Sequence, residues 1–487
     1  MLHVAMVPER LEVGKASGPA VALRVVLLVA VTSASAAVLL RGAGGSYRPN
    51  LLLLAAAFAG LGTLVVLELH RLALARGLLI GATGALLVIA VVVPPVQSND
   101  LWLYATYGRM VSHHGISPYA APPSRVHDDP LYPRVDSVWR GTRSLYGPGF
   151  IAIAAAGTAV TGDSALAVRL LFQGLAAAAV LTALLLVDRR TKDPIVWLLV
   201  GVNPMVIVGV VNGGHNDALV ALALLGGVLL AVVRRPVLTG AAVALGVLVK
   251  IVMMLPLAAL LVWLWRRQGL RAALVTGGVA AVLVVGAYLL AGGRTALEPV
   301  SDAEHQVSRS SIWNKPRRDM TFDLVRDGAT GKVAGAIARR RVTRWANLAV
   351  AGLAVLLVAP RMRARSPAVL VGAATLAYLL AGAYVVPWYA VWALPLLALA
   401  PRSWVTGVTL AVAAVVSLAY VPDPSMTGHA VSVVTPWQAL RYDIFAMWVP
   451  LSTWTLIAVV VALTIVTIRR RPAQDGAGPA ISAMTPK

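Results

Sequence analysis

The chain alternates long apolar runs with short polar or basic interruptions, and the run lengths suit a bilayer better than a soluble core. A helix needs roughly 20 apolar residues to cross a hydrocarbon layer of about 30 Å. Runs over 20–40, 50–69, 77–97, 165–187, 194–212, 217–233, 271–291, 345–360, 367–386, 403–421 and 446–468 meet or approach that length. The stretch 236–266 is long enough for two short crossings that turn near Lys250, and 388–400, after the break at Pro387, reads as one more. The run 147–161 is short for a span and is expected to lie at the membrane surface as a juxtamembrane helix. The pattern predicts an all-α integral membrane protein with about 12–14 transmembrane helices over 20–468. A short segment (1–19) precedes this region, and an unstructured tail (469–487) follows it.

Orientation follows from the basic clusters, because cytoplasmic loops carry excess Lys and Arg. Arg71/Arg76, Arg189/Arg190/Lys192, Arg234/Arg235, Arg266/Arg267, Arg361/Arg363/Arg365, Arg402 and Arg469/Arg470/Arg471 all fall on one side only if 147–161 does not cross. Both chain ends are then cytoplasmic. The segments 98–164, 212–217 and 292–344 face outward. The last holds 11 Lys/Arg against 6 Asp/Glu, basic on the side where no excess is expected. Either a long loop translocates regardless of charge, or an anionic partner (lipid headgroups or a phosphate-bearing substrate) lies outside. Arg339-Arg340-Arg341, just before a helix, is read as resting on membrane headgroups, ahead of a substrate role.

Composition agrees with a membrane class: 59% hydrophobic and 13% charged residues, with a mean hydropathy of +0.80. There is no cysteine, which excludes disulfides, a thiolate nucleophile and Cys-ligated metal. The first 18 residues carry Arg10 and Lys15 but no short apolar core with a cleavage site, so no cleaved signal peptide is expected. No repeat or separable soluble domain is visible, and no nucleic-acid partner is expected.

Candidate chemistry begins where the 77–97 run ends. Asp100 is an ionisable group at the membrane boundary, either a functional carboxylate or a marker of the water edge. It opens the stretch Asn99-Asp100-Leu101-Trp102-Leu103-Tyr104, followed by Tyr107-Gly108-Arg109 and Ser117-Pro118-Tyr119. Asp136-Ser137-Val138-Trp139-Arg140 and Ser144-Leu145-Tyr146-Gly147-Pro148 continue it. Aromatic residues favour the membrane interface. Aromatic faces with carboxylates and guanidinium groups also suit a sugar and its phosphate. Gly201-Val202-Asn203-Pro204 and Asn212-Gly213-Gly214-His215-Asn216-Asp217 form a second polar block between apolar runs. Asn216 or Asp217 could cap the next helix; His215 and Asp217 read as site residues. Lys250 interrupts an apolar run, as a snorkelling cation or as one aimed at a lipid phosphate.

These blocks resemble a known family, the actinobacterial polyprenol-phosphomannose-dependent α-1,6-mannosyltransferases. The Asn99–Tyr104, Tyr107-Gly108 and Ser117–Tyr119 blocks are similar to its first outer loop. Val138-Trp139-Arg140 with Tyr146-Gly147-Pro148 is similar to the next block. Gly201–Pro204 with Gly214-His215-Asn216-Asp217-Ala218-Leu219 is the most specific match; Val249-Lys250 follows at the expected interval, and Val386-Pro387-Trp388-Tyr389 with Trp392-Ala393-Leu394 resembles a late motif. The resemblance covers about 95–400 and implies the GT-C glycosyltransferase fold. It also implies a polyprenyl monophosphate sugar donor, usually mannose, and a growing α-1,6 mannan or lipomannan glycolipid as acceptor, with the active site at the extracytoplasmic face of the cell membrane. The acidic residue opening that loop is the family's general base, which maps onto Asp100. The 300–345 stretch, with Arg309, Trp313, Lys315, Arg317 and Arg318, follows no pattern of the family.

Asp100 is therefore the expected catalytic residue. The expected substrate-binding set is Asn99, Tyr104, Arg109, Tyr119, Trp139, Arg140, Tyr146, Asn203, His215, Asn216, Asp217, Lys250, Trp388 and Tyr389. Lys250, helped by Arg109, Arg140 or an arginine of 309–318, would stabilise the leaving phosphate, while His215 and Asp217 would orient sugar or phosphate. No cofactor is required. Asp100, His215 and Asp217 are potential ligands for a divalent cation, but they make a thin set, and no metal site is assigned. Two rivals stand beside this reading: a related transferase using an arabinose, glucose or galactose carrier, and a lipid-linked sugar transporter or flippase. A transporter would place its charged and unwound segments near the midplane.

Overall fold

The first helices are α1 (Gly18–Arg41), α2 (Tyr47–His70), α3 (Arg76–Val92), α4 (Asp100–Ser112), α5 (Pro148–Thr161) and α6 (Ala165–Thr191). They are followed by α7 (Asp217–Val232), α8 (Pro236–Val249), α9 (Met254–Gln268), α10 (Leu270–Leu290), α11 (Arg294–Ala303) and α12 (Asn314–Arg326). The last are α13 (Gly331–Val358), α14 (Pro367–Ala381), α15 (Leu394–Leu397), α16 (Trp404–Leu418), α17 (Pro436–Asp443) and α18 (Val449–Arg469). This is a computed structural model that describes residues 18–42, 46–303, 306–362, 366–422 and 436–469, and these contain no β-strand. Residues 1–17, the tail 470–487, and Arg363, Arg365, Arg470 and Arg471 lie outside the described residues.

Among the described residues, seven helical segments are long and apolar enough to cross a membrane: Gly18–Arg41, Tyr47–His70, Ala165–Thr191, Ile251–Gln268, Leu270–Leu290, Gly331–Arg361 and Ala439–Arg469. Six more apolar helices have only 10–17 residues: α3, α5, α7, α8, α14 and α16. The expected runs are thus present, but many end early. The run 194–212 divides into π-helical turns Trp197–Gly201 and Met205–Val211 around Val202–Pro204. The run 388–400 is a 3-10 segment, Pro387–Trp392, followed by the four-residue α15. The run 345–360 begins much earlier, at Gly331, so the end of the basic 292–344 segment is helix and not loop.

Proline and internal polar groups account for the early stops. Val93 is extended ahead of Pro94 and Pro95, a conformation the following proline imposes, and this ends α3. Carbonyls freed inside a bilayer need partners from the protein. Asn212 Nδ2 reaches the carbonyls of Ala90 (3.1 Å), Val93 (3.0 Å) and Pro94 (3.1 Å), while its Oδ1 accepts from Val96 N–H at 2.9 Å. Gln173 Nε2 donates to Ala90 O and Val93 O, at 3.0 and 2.9 Å. The stop at Lys250 is a hairpin: its backbone is extended, and α9 returns until Gln268 Nε2 donates to Ala231 O at the end of α7.

These stops share one end of the bundle. The C-termini of α3 and α8, the N-terminus of α7 and the 383–389 segment after α14 meet there. The opposite end gathers Arg24 with Glu68 (2.9 Å), Arg76 with Asp188, and the starts and ends of helices that carry Arg189, Arg190, Arg234, Arg235, Arg266 and Arg267. A second, smaller apolar cluster, with Leu103, Tyr107, Tyr119, Ile151, Leu248 and Tyr288 among its members, fastens the 98–164 segment onto α8 and α10. α5 is tied to its neighbours at both ends. Gly147 N–H donates to Val249 O at 3.0 Å, and Arg109 of α4 donates to Gly162 O at 2.8 Å.

Candidate active site

Asp100 and Lys250 line one cavity of about 310 Å³, walled by Tyr107, Trp139, Tyr146, Tyr384, Trp388 and Tyr389. Asp100 is the first residue of α4, where a carboxylate complements the helix dipole. α4 belongs to neither set of membrane-length or shorter apolar helices, so Asp100 stands outside the spanning segments. Burial raises its carboxyl from 3.8 to about 6; the hydrogen bond to Ser98 and the charge of Lys250 offset only part of that. His215 Nδ1 lies 3.8 Å from Asp100 Oδ2 and hydrogen-bonds with Tyr104 Oη at 3.2 Å. The imidazole stacks on Trp388, with ring centroids 4.0 Å apart. Gly214 takes the turn before it at φ +62°, where a side chain would be strained and would also press on Phe172 and Leu101.

Lys250 is held from below. Its Nζ donates to both Asp217 carboxylate oxygens at 2.8 Å, and Trp392 Nε1 donates to Asp217 Oδ1 at 2.7 Å. The ammonium also lies 4.6 Å above the Tyr389 ring, a cation–π arrangement, and Tyr389 in turn stacks on Trp392 at 4.1 Å. Two of the three N–H donors of Lys250 are thus committed to Asp217. Gly147 makes the close approach of the 98–164 segment to this lysine feasible: a Cβ there would fall 2.2 Å from Leu248 O. Tyr146 follows from that approach, its ring 5.8 Å from Lys250 Nζ and edge-on to Tyr104 at 4.9 Å.

Asp100, Trp139, Tyr146, Lys250, Trp388 and Tyr389 therefore reach the cavity, with Tyr104, His215 and Asp217 packed directly behind its walls. Tyr119 stands one layer away, its hydroxyl donating to Tyr146 O at 2.8 Å. Arg109 is used elsewhere, bound to Asp129 (2.7 Å), Asp163 (2.7 Å) and Gly162 O. Burial alone would raise Asp129, but bonds from His114, the Leu131 N–H and Arg109 outweigh it and hold the carboxyl below its ordinary range. Arg140 donates to Val135 O and Pro133 O and lies over the Tyr132 ring. Both arginines brace the 98–164 segment, away from the expected phosphate role. Asn203 donates to Leu199 O and accepts from Met205 N–H, closing the helix break at Pro204. Asn99 and Asn216 occupy N-cap positions without a side-chain cap bond, and both polar atoms of the Asn216 amide are buried with no partner.

Several cavity residues were not singled out from sequence: Gln306, Thr343, Asn347, Tyr378 and Tyr384. Thr343 and Asn347 share one face of α13, and a lone amide at the start of an apolar run was the available signal. Trp392 stood in a recognised motif, yet nothing in its spacing shows that its indole would meet Asp217. Among the described residues no three His, Asp or Glu side chains are grouped as metal ligands; Asp217 is already bonded to Lys250 and Trp392.

A family model described as "Alpha-(1->6)-mannopyranosyltransferase, N-terminal domain" matches residues 27–267. The chain is 29% identical over 179 residues to Alpha-(1->6)-mannopyranosyltransferase A of Mycobacterium tuberculosis, covering 36% of this chain and 34% of that protein. It is 30% identical over 172 residues to the protein of the same name from Corynebacterium glutamicum, covering 34% of each. The matched segment thus spans about a third of the length of these curated relatives. No solved structure matches the chain. The architecture is that of an all-α integral membrane protein of the GT-C type. Residues 27–267, which carry Asp100, His215, Asp217 and Lys250, are thus similar to the α-(1→6)-mannopyranosyltransferase family.

Proposed function

We propose that this protein is a multi-pass cell-membrane mannosyltransferase. It transfers mannose from a polyprenyl monophosphate carrier to a growing α-1,6-linked mannan or lipomannan acceptor at the extracytoplasmic face. One observation carries the reading: an acid–base carboxylate and a buried ammonium line a single aromatic-walled cavity at one end of an apolar bundle. The relatives' names support the sugar and the linkage. The gathering of basic residues at the opposite end supports an outward-facing cavity, because such clusters stay cytoplasmic.

The acceptor hydroxyl oxygen attacks C1 of the donor sugar in line with the phosphate. As the new C1–O bond forms, the hydroxyl proton passes to an Asp100 carboxylate oxygen. The C1–O bond to phosphate breaks, and its electron pair leaves on the lipid phosphate. A β-linked donor and an α-linked product require this inversion. General-base assistance of this kind contributes typically 10²–10⁴-fold. The leaving phosphate is a stable anion needing charge stabilisation more than a proton. Lys250, oriented by Asp217, has one donor left for it. The Tyr and Trp walls receive the C–H faces of the sugars. No resident divalent cation is part of the proposal, and a chelator should leave the rate unchanged.

The test uses purified protein in proteoliposomes with radiolabelled polyprenyl-phosphate mannose and a synthetic α-1,6-mannoside acceptor. An acceptor lengthened by one mannose supports the reading. Incorporation only from arabinose, glucose or galactose carriers would change the sugar and keep the reaction class. Movement of the carrier across the membrane with no product would make the protein a flippase.

A further inference from the structure

The cavity has the wrong charge for its proposed donor. Of its lining residues only Asp100 and Lys250 are ionisable as acid or base near neutrality, and Lys250 is already neutralised by Asp217. Asp100 is left over, so the local balance is about −1, repelling the anionic phosphodiester of a lipid-linked sugar that arrives from the bilayer. Cations must come from beyond the walls.

They stand next door, on α13. A second groove, of about 630 Å³, is formed along this helix by Arg340, Arg341 and Arg344, with Ile337 and Leu348 as its apolar members. Thr343 and Asn347 line both this groove and the Asp100 cavity, so the two are continuous. Arg340 and Arg344 are one helical turn apart on one face, where like charges repel unless an anion lies between them. All three arginines are solvent-exposed, and among the described residues none makes an ion pair or hydrogen bond. Arg339 differs: its charge acts on Arg317 of α12.

Depth supports the same assignment. Measured from Val358 at 1.5 Å per residue, Arg344 and Arg340 stand about 21 and 27 Å along the helix. Against a hydrocarbon core of about 30 Å, that is its outer third, from which a side chain as long as arginine's reaches the headgroup phosphates. Unpaired guanidinium groups there are costly without an anionic partner. The planar fork of arginine suits phosphate oxygens.

We infer that the Arg340–Arg341–Arg344 groove of α13 is the lateral port that captures the phosphate of a lipid-linked monophosphate and passes it, beside Thr343 and Asn347, to the Asp100 cavity. The inference rests on the proposed transferase reading and adds the site where its lipid substrate enters. The polyprenyl tail remains in the bilayer alongside Leu348 while the headgroup moves inward.

The experiment measures binding of decaprenyl monophosphate, without sugar, to the full chain in zwitterionic nanodiscs. Wild type, Arg340→Gln/Arg344→Gln, Arg340→Lys/Arg344→Lys and Arg339→Gln are compared. The port predicts at least tenfold weaker binding in the Gln pair, partial recovery in the Lys pair and no change in Arg339→Gln. Equal affinity of wild type and the Gln pair would overturn the port while leaving the transferase reading standing. No binding by wild type would sink both. A parallel arm with phosphatidylglycerol in the discs, and one with inorganic phosphate, identifies the source. If the Gln pair loses phosphatidylglycerol or inorganic phosphate binding but keeps decaprenyl phosphate binding, the groove is a general anion surface and the port is wrong.

Discussion

Replacing Asp100 by Asn should make the protein more stable and nearly inactive. The side chain keeps its shape and loses its charge. Its carboxyl is raised from 3.8 to about 6 because ionisation is disfavoured in the walls of the cavity. At ~1.36 kcal/mol for each tenfold change in proton affinity, this corresponds to about 3 kcal/mol of folding free energy lost on ionising Asp100. The sign follows from linkage. Well below 3.8, at about pH 3 or lower, both folded and unfolded chains hold the proton, and the group contributes nothing. Between the two values only the unfolded chain releases it, so stability falls as pH rises, levelling off above about pH 6. Asn carries no such loss. Thermal unfolding of the purified protein in detergent should therefore show a higher Tm for Asp100→Asn at about pH 7.5 and no difference at about pH 3. In parallel, mannosyl transfer should fall by ~10²–10⁴-fold. Equal Tm values at the higher pH would refute the claim that burial sets this carboxyl. Undiminished transfer in the folded variant would remove Asp100 from the base role.

The other predictions concern the same walls. Transfer should rise with pH through an acid limb near 6, the value for Asp100, and a pH–rate profile flat from 5 to 8 would contradict a carboxylate base. Asp217→Asn should destabilise the fold by about 3–5 kcal/mol, because it leaves the Lys250 ammonium buried without its partner; Lys250→Met added to it should recover part of that loss in denaturation experiments, without restoring transfer. Gly147→Ala should move the Tyr146 turn off Lys250, since its Cβ would stand 2.2 Å from Leu248 O; a retained rate in the folded variant would show that the approach is unnecessary. Arg109→Gln should weaken the 98–164 segment, read as faster proteolysis there, with the affinity for donor phosphate unaltered.

What the sequence made legible were local signals of high contrast. A carboxylate, a lysine and a His-Asn-Asp turn are conspicuous in a chain this apolar, and the structure brings Asp100, His215, Asp217 and Lys250 together. The break at Pro387 likewise announced the Trp388 and Tyr389 walls. Arginine was misread because its charge is visible in sequence and its partner is not. Arg109 finds Asp129 and Asp163, and Arg140 finds backbone carbonyls of a loop with no periodic signal. Tyr378, Tyr384 and Asn347 sit in ordinary-looking apolar runs, and only the direction of each helix face decides whether they meet the cavity.

The shortness of so many helices and the existence of the site have one cause. A helix that ends within a bilayer must hand its last carbonyls to other protein groups, and Asn212 and Gln173 receive those of α3. That arrangement lets the chain leave α3 early and lets α4 begin with Asp100 in the wall of the cavity. The same holds at Lys250, where the α8–α9 hairpin turns with its cation facing inward and not toward bulk water. A rule that counts roughly 20 apolar residues per crossing assumes that every helix ends in water. Here the stops after α3, α8 and α14 lie at one end, and the segments that follow them bring Asp100, Lys250, Trp388 and Tyr389 to the same cavity. Scattered at the midplane, such interruptions would favour an alternating-access transporter; gathered at one membrane border, they favour chemistry on a lipid headgroup.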